Sequence, residues 1–102
     1  ENLAENAERL GIIFRAELSA FSKENDLVTS VRGKGLLNAL IINDSEESST
    51  AWDICLKLRD NGLLAKPTHG NIIRFAPPLV ITEDQLMDCL DIIKNTISHF
   101  KK

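Results

Sequence analysis

The sequence predicts an α+β fold, in which an antiparallel sheet of three to four short strands carries three helices packed on one face. Three observations predict this fold. Helical and extended segments follow the order αββαββα, hairpin-like turns join the extended segments in pairs, and 102 residues is the usual length of one domain with one hydrophobic core. Because we find no internal repeat and no low-complexity segment, residues 1–102 are interpreted as a single domain.

The composition excludes two classes of partner. Apolar residues make up 43% of the chain and charged residues 26%, and no apolar run approaches the roughly 20 residues needed to span a bilayer. The 12 lysines and arginines are scattered, and the formal net charge is -3, so there is no basic surface to bind nucleic-acid phosphates. We therefore expect no membrane partner and no nucleic-acid partner.

The cysteines and histidines predict neither a disulfide nor a metal site. Cys55 and Cys89 lie within predicted helices among apolar neighbours, and nothing else indicates secretion, so two buried, reduced thiols are expected. His69 and His99 are far apart, and the chain has no Cys-x-x-Cys motif. No metal ligand is predicted.

The first predicted helix runs from Leu3 to Phe21. Its apolar residues recur at steps of three and four, which is the pattern of an amphipathic helix; they are Leu3, Ala7, Leu10, Phe14, Leu18 and Phe21. No capping residue precedes the helix, and the chain begins with Glu1 and not with methionine. We therefore expect the chain to be a segment of a longer one, with the first helical turn upstream.

A β-hairpin is predicted next. Leu27–Val31 and Leu36–Ile42 have the composition of strands, and Arg32–Gly35 supplies two glycines that can adopt positive φ in a reversal. Both faces of the second strand are apolar, with Leu36, Leu40 and Ile42 on one face and Leu37, Ala39 and Ile41 on the other. If the helices cover one face, the other face must meet a partner surface.

The rest of the chain predicts two more helices around a second pair of strands. A polar loop, Asn43–Ser49, offers serines that can cap a helix over Thr50–Asn61, which ends at Gly62. Leu63–Ala65 is predicted to be extended up to Pro67 and a Thr68–Gly70 turn, and Asn71–Phe75 to form a strand that stops at Pro77 and Pro78. A capping box, Thr82 with Gln85, predicts a last helix that reaches Phe100.

Most residues that might carry chemistry have simpler interpretations. Arg32–Gly35 lacks the spacing of a phosphate-binding loop and lies between strands. His69 has no local nucleophile or carboxylate partner and is interpreted as a turn residue. Trp52 is interpreted as core packing within a short helix.

Arg74 is the exception. Strand alternation places it with Ile72 on the face opposite Ile73 and Phe75, so its guanidinium stands among apolar residues. The planar guanidinium can make two parallel hydrogen bonds to one carboxylate. That carboxylate can belong to a protein side chain or to a ligand, and the residues alone leave both possibilities open.

Three stretches resemble a known family. They are Val31-Arg32-Gly33-Lys34-Gly35-Leu36-Leu37-Asn38-Ala39, Leu58 to Gly70 with its Asn-Gly-Leu-Leu-Ala-Lys-Pro-Thr-His-Gly block, and Ile72-Ile73-Arg74-Phe75-Ala76-Pro77-Pro78-Leu79. Through these stretches the chain resembles, over essentially its whole length, the C-terminal small domain of the ornithine aminotransferases. These are class III, fold-type I, pyridoxal-phosphate-dependent enzymes. The Arg-Gly-x-Gly and Arg-x-x-Pro-Pro patterns are shared widely in class III, whereas the middle block is specific to the ornithine enzymes.

The resemblance implies an enzyme that transfers the δ-amino group of ornithine to 2-oxoglutarate, giving glutamate semialdehyde and glutamate. It implies pyridoxal phosphate bound covalently by a lysine of an absent large domain, and Arg74 as the residue that receives a substrate α-carboxylate or, when ornithine is bound, pairs with a large-domain glutamate. A homodimer or larger homo-oligomer is implied, in the mitochondrial matrix for animal relatives and in the cytoplasm for lower eukaryotes or bacteria. By the same resemblance, the isolated chain is inactive.

Two alternatives stay open. Acetylornithine and 4-aminobutyrate aminotransferases share the Arg-Gly and Pro-Pro patterns. A free-standing module that binds an amino acid through Arg74 without chemistry is the alternative from another class.

Overall fold

The computed structural model describes residues 3–45, 47–68, 71–75 and 81–100, and its elements follow the predicted order. The α+β class and the antiparallel sheet predicted from the sequence are confirmed. The elements are α1 (Leu3–Ser22), β1 (Val28–Lys34), β2 (Leu37–Ile42), α2 (Thr50–Asp60), β3 (Lys66–Thr68), β4 (Ile72–Phe75) and α3 (Glu83–Ser98).

The four described strands form one antiparallel sheet in the order β1-β2-β4-β3. Its register aligns one residue from each strand in a single row, namely Arg32, Ala39, Arg74 and Lys66. Since side chains alternate between the faces of a sheet, these four lie on one face, and their neighbours Leu40 and Ile73 lie on the other. We call the face that carries Arg74 the outer face.

The core lies between the inner face of the sheet and the three helices. Phe14 of α1 is 1% exposed and meets Phe75 of β4 edge to face, with ring centroids 5.8 Å apart. The other fully buried side chains share this layer; they are Leu10, Leu18, Leu40, Ile42, Ile54, Leu58, Ile73, Leu86, Leu90, Ile93 and Ile97. Each such side chain contributes about 1.5–3 kcal/mol by leaving water, so burial on this face accounts for the position of the helices.

The β1–β2 turn is tighter than the sequence predicted. The predicted reversal over Arg32–Gly35 is wrong, because Lys34 pairs with Leu37 and only Gly35 and Leu36 form the turn. Gly35 adopts the expected positive φ, at +57°. Gly33 lies in the strand, where a side chain would not fit, because a Cβ there would lie 2.2 Å from Oδ1 of Asn38. The longer strand brings Arg32 into the sheet.

A part-buried polar contact joins the β1–β2 turn to α1. Nη1 of Arg15 donates hydrogen bonds to the Gly35 carbonyl oxygen at 2.8 Å and to Oδ1 of Asn38 at 2.9 Å, and Asn38 is 4% exposed. Gly11 permits this approach, since a Cβ at Gly11 would lie 1.8 Å from the same carbonyl oxygen. The glycine within α1 is therefore a packing requirement.

The position of β3 also differs from the prediction. The predicted extended piece Leu63–Ala65 is wrong in its bounds, because the strand is Lys66–Thr68 and includes Pro67. Proline lacks the N–H that an inner strand would donate, yet β3 is the edge strand of the described sheet, so one side of its backbone pairs with no described strand. The shift places Lys66 directly opposite Arg74.

The predicted N-terminal end of α3 is confirmed, whereas α3 ends at Ser98, two residues before the predicted Phe100, and the predicted cap of α2 is corrected. Thr82 and Gln85 form the predicted capping box: Oγ1 of Thr82 accepts from the Gln85 N–H at 3.1 Å, and Oε1 of Gln85 accepts from the Thr82 N–H at 2.9 Å. At α2, Ser49 occupies the N-cap position without a side-chain capping bond, and its Oγ lies 3.1 Å from Oδ2 of Asp53. Gly62 has the predicted positive φ, at +96°.

Trp52 and Cys89 are less buried than predicted. The interpretation of Trp52 as core is wrong, because its side chain is 56% exposed; the buried stripe of α2 runs through positions 51, 54, 55 and 58 and leaves 52 on the solvent side. Both cysteines are free, as predicted, but Cys89 is half-buried. Burial raises the pKa of the Cys55 thiol to about 11 and, together with Asp88, raises the pKa of Cys89, so both thiols are protonated at neutral pH.

Candidate functional site

The outer face of the sheet holds a groove of about 840 Å³ to which all four strands contribute. Its charged lining is Arg32, Lys66 and Arg74, and its apolar lining includes Leu37, Ala39, Ile41, Leu64 and Ile72. None of the described helices covers this face, because the helices pack on the opposite one. Leu37 is 68% exposed on this face, which confirms the prediction that the second strand carries apolar residues on both faces.

Arg74 occupies the middle of the groove. It lies on the inner strand β4, opposite Ala39 of β2 on one side and Lys66 of β3 on the other. Its neighbours Ile73 and Phe75 are 0% and 4% exposed and anchor the strand in the core, whereas Arg74 is exposed. The predicted alternation is confirmed, and it fixes the backbone beneath the guanidinium on a rigid element.

The three cations of the groove have no acidic partner among the described residues. Within that part of the chain, ion pairs join Arg9 to Glu83, Arg15 to Glu8, Arg59 to Asp60 and Lys94 to Glu17. Arg32, Lys66 and Arg74 take part in none of these pairs. The structural salt bridge considered for Arg74 therefore finds no acid in the described parts of this chain.

This arrangement is suited to binding carboxylates. An arginine offers a planar pair of donors to both oxygens of one carboxylate, and a nearby lysine adds a positive charge without fixed direction. Ile41 and Ile72 lie in the adjacent row on the same face and are half-buried. Such apolar neighbours lower the local dielectric once the groove is covered, which strengthens a charge-assisted hydrogen bond.

Other features of the described residues do not indicate a ligand-binding site. A second cavity of about 400 Å³ lies between α2 and α3, where Nδ2 of Asn61 donates to Oγ1 of Thr96 at 2.8 Å, and this polar pair is satisfied internally. No group of three or more His, Cys, Asp or Glu residues in the described ranges is placed to hold a metal ion. No described helix has the length and apolar character to cross a membrane. His69 lies outside the described residues.

Sequence reasoning identified Arg74 but missed its two cationic neighbours. The sequence predicts an extended piece that ends at Ala65, before Lys66, and a turn that includes Arg32. The antiparallel register places both residues on the same face as Arg74. The register can be predicted only when the strand bounds are known to within one residue.

Comparison with known proteins places the chain among transaminases. A family model described as aminotransferase class-III matches residues 1–97. The mitochondrial ornithine aminotransferase of Rattus norvegicus is 57% identical over 100 residues, covering 98% of this chain and 22% of the relative. The Drosophila melanogaster protein of the same name is 59% identical over 97 residues, covering 95% and 21%. The chain therefore spans about a fifth of these relatives.

Solved structures share the fold. An acetylornithine aminotransferase from Elizabethkingia anophelis superposes with a TM-score of 0.94 at 64% identity, covering 96% of this chain and 26% of that one. An ornithine aminotransferase from Plasmodium yoelii superposes with a TM-score of 0.88 at 44% identity, covering 97% and 26%. The ornithine aminotransferase from Toxoplasma gondii, at 40% identity, covering 94% and 22%, and a TM-score of 0.84, was described with pyridoxal phosphate at partial occupancy in its active site.

Proposed function

Because the chain belongs to the class III aminotransferase family, we propose that it is the C-terminal small domain of an ornithine aminotransferase. The enzyme would transfer the δ-amino group of ornithine to 2-oxoglutarate, giving glutamate semialdehyde and glutamate. The observation that carries the proposal is Arg74, which has no acidic partner among the described residues and lies in a groove on the sheet face that no described helix covers, in a chain 57–59% identical to proteins named ornithine aminotransferase. Residues 1–102 would form this one domain.

Pyridoxal phosphate would be bound by a large domain of the same polypeptide. When bound, it supplies the electron sink through which an amino group is moved. Covalent attachment requires a lysine shielded from water, and the described lysines do not fit: Lys23, Lys34, Lys57 and Lys66 are exposed, and Nζ of Lys94 lies 2.8 Å from Oε1 of Glu17. The described lysines of this chain would therefore not supply the covalent attachment.

Arg74 would bind and orient a substrate carboxylate. Its strand is fixed by Ile73 and Phe75 in the core, so the guanidinium presents its donors from a rigid support to the space above the sheet. A carboxylate held by two parallel hydrogen bonds cannot rotate freely, which positions the rest of the substrate for reaction.

The large domain would cover the outer face. Leu37 and Leu64 are 68% and 81% exposed, and burial of such side chains favours a stable domain interface. We expect a homodimer or a larger homo-oligomer. The rat and fly relatives are named mitochondrial, which favours the mitochondrial matrix for an animal protein, while the relative from Emericella nidulans carries no such qualifier and leaves the cytoplasm as the alternative.

An acetylornithine aminotransferase is the second candidate. It is favoured by one observation, the 64% identity to the Elizabethkingia anophelis structure of that name. The two activities share 2-oxoglutarate as amino acceptor and differ in whether the donor's α-amino group is free.

The test is an assay of the full-length holoenzyme with each donor. We expect the specificity constant for ornithine to exceed that for N-acetylornithine by at least about tenfold, because a polar site built for a free amine leaves groups unpaired when that amine is acetylated. The 102-residue chain alone, assayed beside it, should give no turnover. A preference for N-acetylornithine would establish the second candidate, and turnover by the isolated chain would contradict the proposal that the reaction requires a large domain.

A further inference from the structure

Lys66 stands opposite Arg74 in the register of the sheet, and the two positive charges share one face. The pair belongs to the antiparallel ladder between β3 and β4, in which directly opposed residues have Cα atoms about 4.5–5.5 Å apart. Arg32 lies in the same row on β1, two strands from Arg74, with the small side chain of Ala39 between them. The row therefore presents three cations to one groove.

Within the described residues, this arrangement of charges is electrostatically unfavourable. Like charges directly opposite one another destabilise an antiparallel pair, and no acid of the described residues neutralises Lys66 or Arg74. A lysine on an edge strand commonly protects the edge against pairing with another chain. A charge at any position of β3 would protect the edge in this way. Edge protection therefore does not explain why Lys66 lies directly opposite Arg74.

We propose that Lys66 is a specificity-determining residue that favours the dianionic substrate over the cationic one. The inference rests on the proposed function, in which the same site must accept 2-oxoglutarate, with net charge -2, and ornithine, with net charge +1. A positive charge beside Arg74 attracts the first and repels the second by Coulomb interaction, whatever contacts each substrate makes directly. Arg74 supplies the directional hydrogen bonds, and Lys66 supplies charge.

Lys66 lines the groove, whereas Lys34, on the same face of the sheet, does not. Lys34 lies in the row of Leu37. Both lysines are exposed, and replacement of either with glutamine removes one charge while keeping a polar side chain of similar reach. Lys34→Gln is therefore a matched control for Lys66→Gln.

The experiment compares full-length wild-type holoenzyme with the Lys66→Gln, Lys66→Arg and Lys34→Gln variants. Binding of glutarate, an unreactive dicarboxylate, is measured by equilibrium titration, and the two half-reactions are followed separately in single-turnover mixing at low and high ionic strength. We expect Lys66→Gln to weaken glutarate binding and the 2-oxoglutarate half-reaction about five- to tenfold at low salt, and to leave the ornithine half-reaction unchanged or faster. High salt should reduce the difference from wild type, and Lys66→Arg should stay close to wild type.

Equal losses in both half-reactions, or the same effect from Lys34→Gln, would overturn the inference, as would unchanged glutarate binding in Lys66→Gln. These outcomes are distinct from failure of the proposed function, which would appear as a wild-type enzyme that does not use ornithine. Glutarate binding does not depend on turnover. It therefore shows whether Lys66 favours a dianionic ligand even if the enzyme does not use ornithine.

Discussion

Substitution of Arg74 by alanine in the full-length enzyme is expected to lower the specificity constant for 2-oxoglutarate by more than about a hundredfold. Each charge-assisted hydrogen bond to a carboxylate in a site shielded from water contributes about 1.5–3 kcal/mol, and arginine can make two. A hundredfold loss corresponds to about 2.7 kcal/mol, which is less than the two bonds together. The ornithine half-reaction should lose less if, as the family resemblance implies, a large-domain glutamate pairs with Arg74 when ornithine is bound.

Two controls separate ligand binding from fold. Arg74→Lys should recover only part of the loss, because an ammonium keeps the charge but not the planar pair of donors. Arg74 is exposed, so neither variant should change the circular dichroism of the protein. An Arg74→Ala enzyme that is intact and stays within about threefold of wild type in the 2-oxoglutarate half-reaction would mean that Arg74 serves as a structural ion-pair residue.

A substitution in α1, on the helix side of the sheet, Gly11→Ala, is expected to destabilise the domain by about 1–3 kcal/mol. Helix propensity alone predicts the opposite sign, since alanine in a helix interior is more favourable than glycine by about 0.5–1 kcal/mol. Steric overlap outweighs this gain, because the added Cβ would lie 1.8 Å from the Gly35 carbonyl oxygen, and α1 must move away from the β1–β2 turn. The movement also separates Arg15 from Gly35 and Asn38.

Urea denaturation of the 102-residue chain, followed by circular dichroism, measures this change in the free energy of unfolding. In the intact enzyme, amide hydrogen exchange across β1 and β2 should become faster. Ser19→Ala, on an exposed position of the same helix, is the control and should stay within about 0.5 kcal/mol of wild type. If Gly11→Ala is as stable as Ser19→Ala, the close approach of α1 and the turn is not required by the fold.

The helices were predictable because each leaves a local signature. The apolar steps in Leu3–Phe21 and the capping box at Thr82 and Gln85 depend only on residues within a few positions, and both are confirmed to within one residue. The prediction for Trp52 is wrong because it rests on the average burial of aromatic residues, whereas the apolar stripe of α2 leaves position 52 on the solvent side.

The candidate site was predictable only in part, because it depends on pairing between distant strands. Arg74 was identified from alternation within its own strand and from family resemblance. Its neighbours Arg32 and Lys66 come from strands 42 and eight positions away in the sequence, and a shift of one residue in register would place them on the core side. Proline favours the end of a strand, which excludes Lys66 from the predicted strand, whereas the edge strand β3 tolerates Pro67 and includes Lys66.

The crystal structure of the full-length holoenzyme with bound glutarate tests most directly whether the outer face of this domain is a carboxylate-binding surface. We expect two nitrogen atoms of the Arg74 guanidinium at about 2.7–2.9 Å from the two oxygens of one glutarate carboxylate, with Lys66 facing the same ligand. This expectation would be contradicted if both carboxylates of glutarate were bound only by other parts of the enzyme while Arg74 was paired with a protein carboxylate or pointed to solvent.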